Sequence, residues 1–141
     1  MKERVILCVD DEETILRSLK RELHDTLGRR YIIETATRGE EALHLFEELL
    51  TEGYEIPLVI VDQIMPGIKG DEVLKYIHTM SPKTLKIMLT GQADMNAVIN
   101  ALNSANLYRY IAKPWEKIDL AMTIKGAIQS YLQESYKQFL L

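Results

Sequence analysis

Five short apolar runs alternate along this chain with five segments that carry apolar residues at helical spacing. The runs occupy residues 5–9, 31–36, 58–61, 86–90 and 107–112. Short, β-branched apolar runs bounded by turn residues are typical of strands that are buried on both faces. Because strands and helices alternate, the sequence predicts an α/β fold, in which helices cover both faces of a five-stranded parallel sheet.

The helical segments have identifiable ends. Apolar residues repeat every four positions from Ile15 to Leu27, which predicts an amphipathic helix that ends before Gly28. Asp94 is the predicted N-cap of the fourth helix, and Asn106 is expected to end it in a left-handed conformation. The other helices are predicted over residues 39–50, 70–81 and 115–136.

Composition narrows the class of protein. A chain of 141 residues is long enough for one domain with a real core. The net charge of -4 argues against direct nucleic-acid binding, and no apolar run approaches the roughly 20 residues of a membrane span. Cys8 is the only cysteine, so no disulfide can form within the chain. We therefore expect a soluble, cytoplasmic protein that contacts neither membrane nor nucleic acid.

Polar residues that can bind a ligand or take part in a reaction follow four of the five predicted strands. Asp10 and Asp11 end the first strand, Asp62 the third, Thr90 the fourth and Lys113 the fifth. Carboxyl ends of parallel strands meet at one edge of the sheet, where open α/β folds bind their ligands. Asp62 is expected to sit half out of the apolar core at this edge. Three converging carboxylates repel one another unless a cation lies among them, and hard oxygen ligands suit Mg²⁺.

The same residues suit phosphoryl chemistry. A cation, a hydroxyl from Thr90 and an ammonium from Lys113 would together stabilise a phosphoryl group. A carboxylate nucleophile beside Mg²⁺ can attack phosphorus and form an acyl phosphate. The favoured interpretation is phosphoryl transfer onto Asp62. Taken singly, the acidic run after the first strand could simply cap a helix, and Pro66–Gly67 could be only a turn.

The ordered set of motifs resembles a known family. It comprises Val9-Asp10-Asp11, Asp62-x-x-Met65-Pro66-Gly67-x-x-Gly70, Thr90-Gly91 and Lys113-Pro114. This set is similar to the receiver (CheY-like) domain of two-component response regulators, and the resemblance covers roughly residues 3–125. It implies a flavodoxin-like sheet with strand order 2-1-3-4-5. It also implies that Asp62 accepts phosphate from a phosphohistidine on a sensor histidine kinase or a histidine phosphotransfer protein.

The resemblance assigns further roles residue by residue. It implies that Thr90 and Lys113 bind the phosphoryl oxygens, and that Tyr110 turns inward on phosphorylation. It implies that Ile64 and Gln92 border the phosphoryl group and set how fast water attacks it. Mg²⁺ would be held by a set of four groups: Asp10, Asp11, Asp62 and the backbone carbonyl of Ile64.

The resemblance also bears on domains and partners. Residues 1–125 are expected to form the receiver domain, and 126–141 to extend the last helix. Two interpretations stay open: a stand-alone receiver, or the receiver part of a longer protein in which 126–141 start a linker to an output domain. Expected partners are an output domain in cis or a target protein, and a second copy bound through helix 4, strand 5 and helix 5.

His24, His44 and His78 fall on predicted helices and are expected at the surface.

Two alternatives remain open from the sequence. One is an Mg²⁺-dependent phosphatase that uses Asp62 as a turnover nucleophile. Such enzymes usually place an acid two residues later, where this chain has Ile64. The other is a degenerate receiver that only binds partners, although none of the expected acids, Thr90 or Lys113 is missing.

Overall fold

A computed structural model describes residues 3–91 and 95–140 of the chain. In these residues the strands are β1 Arg4–Val9, β2 Ile32–Ala36, β3 Glu55–Asp62, β4 Leu85–Thr90 and β5 Arg109–Ala112. The helices are α1 Glu13–Leu27, α2 Gly39–Thr51, α3 Gly70–Met80, α4 Met95–Ala105 and α5 Lys117–Leu140. The predicted alternation of strands and helices is confirmed.

The strands form one parallel sheet in the order β2-β1-β3-β4-β5. This is the flavodoxin-like order that the family resemblance implies. Neighbouring residues of β1 point to opposite faces, so Val5, Leu7 and Val9 join the core under α2, α3 and α4. Ile6 and Cys8 join the second core under α1 and α5. Because both faces are covered, the strands are continuous apolar runs, and each fully buried Val, Leu or Ile contributes roughly 1.5–3 kcal/mol.

The third strand begins earlier than the sequence predicted. It starts at Glu55, so Pro57 lies inside the strand and does not open it. Arg4 of β1 pairs with Glu55, but Ile6 pairs with Leu58, so β3 carries one extra residue in this interval. A proline has no N–H to donate, and such an irregularity is where a strand can accommodate one.

The ends of α1 and α4 lie where Gly28 and Asn106 predicted them. Gly28 has φ 72, and its N–H donates to the carbonyl of His24, which closes α1. Asn106 has φ 51 and follows the last residue of α4, as predicted. The predicted N-cap of this helix, Asp94, lies outside the described residues. Within residues 3–91 and 95–140, none of the helices has the length and apolar composition of a transmembrane span.

The last helix continues well past residue 125. α5 ends at Leu140 and contains no break between the predicted domain and its extension. The hydroxyl of Tyr131 donates to Oε1 of Glu55 at 3.2 Å, which ties this helix to the start of β3. Beyond that contact the helix leaves the core, and Phe139 is 85% exposed.

A lysine is buried at the amino end of the sheet, which the sequence did not predict. Lys86 of β4 is 1% exposed, and its Nζ donates to the carbonyl of Thr84 at 2.7 Å. The same Nζ lies 2.9 Å from Nδ1 of His78, a residue of intermediate exposure on α3. Burial lowers the pKa of Lys86 to about 8, and burial together with the Lys86 charge lowers the pKa of His78. A second carbonyl, that of Pro82, accepts from Nζ of Lys86 at 3.4 Å.

Candidate functional site

Three carboxylates meet at the carboxyl edge of the sheet. One oxygen each from Asp10, Asp11 and Asp62 lies within 4.8 Å of the other two. Asp10 is fully buried, Asp62 is 3% exposed and Asp11 is exposed. The expectation that Asp62 lies half out of the core is therefore wrong. β3 is the central strand, and Gly70 packs so closely on the backbone of Asp62 that a Cβ at Gly70 would collide with the Asp62 carbonyl oxygen.

Lys113 supplies the positive charge of this cluster. Its Nζ lies 3.1 Å from Oδ2 of Asp10 and 3.2 Å from Oδ1 of Asp62. The backbone N–H of Lys113 donates to the carbonyl of Thr90, which fixes the residue beside the end of β4. One ammonium thus bridges the two buried carboxylates, which belong to β3 and to the end of β1.

The buried charges change the ionisation of the site. Burial, with the neighbouring charge of Asp10, raises the pKa of Asp62 from 3.8 to about 6, although Lys113 opposes the change. For Lys113, burial alone would lower the pKa, but its hydrogen bond to Asp10 and its attraction to Asp62 raise it overall. At neutral pH the site therefore holds an ionised Asp62 at a cost in stability, and a firmly protonated Lys113.

The remaining predicted residues lie around this cluster at different depths. Thr90 is 1% exposed at the end of β4 and is in register with Ala112 of β5. Tyr110 is 40% exposed on β5, and Ile64, two residues after Asp62, is 56% exposed. Gln92, predicted to border the same site, lies outside the described residues.

The donor set fits a hard divalent cation. The carboxylate oxygens of Asp10, Asp11 and Asp62 are hard ligands, and three carboxylates outnumber the single ammonium of Lys113. Mg²⁺ is commonly bound by a few carboxylates while it keeps several waters. The exposed position of Asp11 leaves a side open to solvent from which those waters can complete the coordination.

A family model decides which group of proteins these features belong to. The model described as "Response regulator receiver domain" matches residues 6–125. The chain belongs to this family. Among curated relatives, this receiver domain is 32% identical over 129 residues to the hydrogenase transcriptional regulatory protein HoxA of Cupriavidus necator. It is 31% identical over 134 residues to the transcriptional regulatory protein ResD of Bacillus subtilis.

The two relatives are longer proteins. The matched region covers 92% of this chain but 25% of HoxA, and 95% of this chain but 52% of ResD. The chain thus spans between a quarter and about half of these relatives.

Solved structures of receiver domains share the fold over their whole length. The signal receiver domain of an HD domain-containing protein from Pseudomonas fluorescens matches with a TM-score of 0.83 and 30% identity. That match covers 96% of this chain and 94% of the other. A CheY-like receiver domain from Methanospirillum hungatei matches with a TM-score of 0.80 and 31% identity, covering 95% and 99%.

One residue of the site region was missed by the sequence analysis. Gln63, immediately after Asp62, is 2% exposed in this receiver domain. Its side-chain oxygen accepts from the N–H of Asp71 at 2.8 Å, and its side-chain nitrogen donates to Oδ1 of Asp71 at 3.1 Å. A polar residue at the end of an apolar run is typical of a solvent-facing position, so the hydrophobic pattern gave no sign of this burial.

Proposed function

We propose that this receiver domain is the phosphoacceptor of a two-component phosphorelay and that Asp62 accepts the phosphoryl group. The observation that carries this proposal is the ionic cluster itself. In that cluster Asp62 lies beside Asp10 and Asp11, and Lys113 bridges two of the three acids. The donor would be a phosphohistidine on a sensor histidine kinase or a histidine phosphotransfer protein.

The proposed transfer replaces one bond to phosphorus with another. A carboxylate oxygen of Asp62 forms a bond to phosphorus while the phosphorus–nitrogen bond of the donor breaks and the imidazole leaves. The Nζ of Lys113, 3.2 Å from Oδ1 of Asp62, is placed to bind a phosphoryl oxygen. Thr90, at the end of the adjacent strand, would offer its hydroxyl to another.

Mg²⁺ is the proposed cofactor, because the donor set consists of hard oxygen ligands. We assign it to the carboxylates of Asp10, Asp11 and Asp62 and to the backbone carbonyl of Ile64. When bound, it would neutralise charge between the acids and the incoming phosphoryl group. Asp10 is additionally held by an N–H from Glu12 at 2.9 Å, so one of its oxygens is already oriented before a cation binds.

The output surface is proposed to be the face formed by α4, β5 and α5. This face exposes a set of large apolar side chains, namely Ile99, Leu102, Tyr108, Tyr110, Ile118 and Met122. Large exposed apolar side chains on neighbouring elements are typical of an interaction site, here for an output domain, a target protein or a second copy of the chain. Phosphorylation would draw Thr90 towards the phosphoryl oxygens and allow Tyr110 to turn inward, which would change the preference of this face.

We propose that Ile64 and Gln92 control how long the phosphorylated state lasts. Ile64 is exposed and apolar, so it can cover the phosphoryl group but cannot orient a water molecule. We therefore propose a slow autophosphatase and a long-lived signal. The same apolar residue argues against turnover as a phosphatase, because no acid stands there to protonate a leaving group.

The test is phosphorylation by acetyl phosphate in the presence of Mg²⁺. We expect a mass increase of one phosphoryl group that hydroxylamine removes, as it removes an acyl phosphate. Asp62→Asn should abolish the mass increase, whereas Asp25→Asn, a control at an exposed acid of α1, should keep it. Labelling that persists in Asp62→Asn, or that lies on a histidine, would contradict the assignment. Steady release of phosphate from small phosphoesters would instead favour a phosphatase.

A further inference from the structure

The residue that follows Asp62 is locked to α3 by both ends of its side-chain amide. Gln63 accepts from the backbone N–H of Asp71 at 2.8 Å and donates to Oδ1 of the same residue at 3.1 Å. The two contacts define the orientation of the amide, since a flip would set donor against donor and acceptor against acceptor. The backbone of Gln63 is also held on both sides, by the carbonyl of Leu89 and by the N–H of Gly70.

The connection continues from α3 to α4. Oδ2 of Asp71 accepts a hydrogen bond from Nδ2 of Asn100, in the middle of α4, at 2.9 Å. Both carboxylate oxygens of Asp71 thus accept hydrogen bonds, Oδ1 from Gln63 after β3 and Oδ2 from Asn100 of α4. Three side chains, Gln63, Asp71 and Asn100, form an unbroken link from the position beside Asp62 to a helix of the proposed output face.

The link adds a directional polar contact to the apolar packing of α4. The buried face of α4 consists of small side chains, Ala97, Val98, Ala101 and Ala105. Small side chains let α4 lie close to its neighbours, and α3 and α4 approach each other closely. A charge-assisted hydrogen bond has a preferred length and direction, so the bond between Asn100 and Asp71 adds a specific contact that relates the position of α4 to that of α3.

The other end of the link lies inside the proposed reaction site. Gln63 stands between Asp62, the proposed phosphoacceptor, and Ile64, whose carbonyl is assigned to Mg²⁺. Gly70 contacts the backbone of Asp62 and Gln63 so closely that no Cβ fits between them. A movement of residues 62–64 on binding a cation or a phosphoryl group therefore acts directly on Gln63 and on the start of α3.

We propose that Gln63, Asp71 and Asn100 are positioning residues that couple the Asp62 site to α4, separately from Thr90 and Tyr110. The proposal rests on the proposed function, because it assigns these residues a part in the same switch. Asp71 is the shared partner, and it moves with the first turn of α3 when Gln63 moves. Asn100 carries that displacement to α4, on which Ile99 and Leu102 are exposed.

The experiment measures site occupancy and the α4 response separately in the full chain. Beryllofluoride with Mg²⁺ serves as the phosphoryl mimic, and ¹⁹F spectra of the bound fluoride report occupancy. Chemical shifts of Ala97, Ala101 and Ala105 report the response of α4. In Asn100→Ala we expect occupancy within about twofold of the parent, and a shift change of the three alanines that is reduced at least twofold. Asn103→Ala is the matched control, since it makes the same substitution at an exposed position of α4 and should respond like the parent.

A charge swap distinguishes a positioning role from a loss of packing. Asn100→Asp alone sets two carboxylates against each other and should also reduce the α4 response. Combining it with Asp71→Asn restores one amide and one carboxylate at the same contact, so the double variant should recover most of the response. Recovery supports the link, and failure to recover overturns it.

Two further outcomes count against the proposal in different ways. Unchanged α4 responses in Asn100→Ala and Asn100→Asp, with the ¹⁹F signal retained, overturn the link and leave the proposed function intact. Absence of bound fluoride in the parent overturns the proposed function and the link together.

Discussion

Replacing Asp62 with Asn should stabilise the metal-free protein at neutral pH, although it removes the proposed phosphoacceptor. Burial and the charge of Asp10 raise the pKa of Asp62 from 3.8 to about 6. Each pKa unit corresponds to about 1.4 kcal/mol, so ionised Asp62 costs the folded state up to about 3 kcal/mol at pH 7. Asn has nearly the same shape and carries no charge, so Asp62→Asn removes this cost.

The raised pKa of Asp62 also determines how the stability difference between parent and variant changes with pH. Because the pKa of Asp62 is higher in the folded state, proton binding stabilises the fold fully below pH 3.8, and this stabilisation is lost as pH rises through about 6. The free energies of unfolding of parent and Asp62→Asn should therefore agree near pH 4. The variant should become progressively more stable than the parent above that pH and reach its full advantage by about pH 7.

Urea denaturation followed by circular dichroism in EDTA measures both free energies of unfolding. Asp25→Asn removes an exposed acid of α1 and should stay within about 0.5 kcal/mol of the parent at every pH. If Asp62→Asn is less stable at neutral pH, or its advantage does not vary with pH, crowded buried charge does not govern the stability of this site.

Two other predictions concern the metal and the lifetime of the acyl phosphate. Asp11→Ala should weaken Mg²⁺ binding by on the order of tenfold, because it removes one of three ligand charges, and it should slightly stabilise the metal-free protein. Titration calorimetry measures this, and equal affinities would remove Asp11 from the ligand set. Ile64→Asn should speed dephosphorylation about tenfold, or about 1.4 kcal/mol of barrier, by offering water a hydrogen bond. Radiolabel retained equally long in parent and variant would place control of the lifetime elsewhere.

The layout of the site could be predicted because it follows from the topology of a parallel sheet. Apolar runs that end in Asp10, Asp62 and Thr90 bring those residues to one edge once the strands run parallel. Lys113 reaches the same edge from β5, and its contacts with two carboxylates agree with its position after that strand. Each of these residues lies within two positions of a strand end, so small errors in strand boundaries did not matter.

Burial of polar residues could not be predicted, because it depends on tertiary contacts that hydrophobic patterns do not encode. Gln63 and Lys86 both look like surface positions in the sequence, yet each is buried with hydrogen-bond partners from a neighbouring helix or turn. The start of β3 was missed for a related reason. Pro57 normally interrupts a strand, and only the pairing with β1 shows that an extra residue accommodates it.

The buried Lys86 makes the two ends of the sheet respond to pH in opposite directions. Its pKa falls from 10.5 to about 8, so deprotonation stabilises the fold above pH 10.5, and that contribution disappears as pH falls through 8. The contribution of a protonated Asp62 has already disappeared above pH 6. Between these values neither group stabilises the fold, and both carry their unfavourable charge. Considering these two groups alone, the neutral range in which Asp62 is ionised and Lys86 is protonated is where the folded protein is least stable.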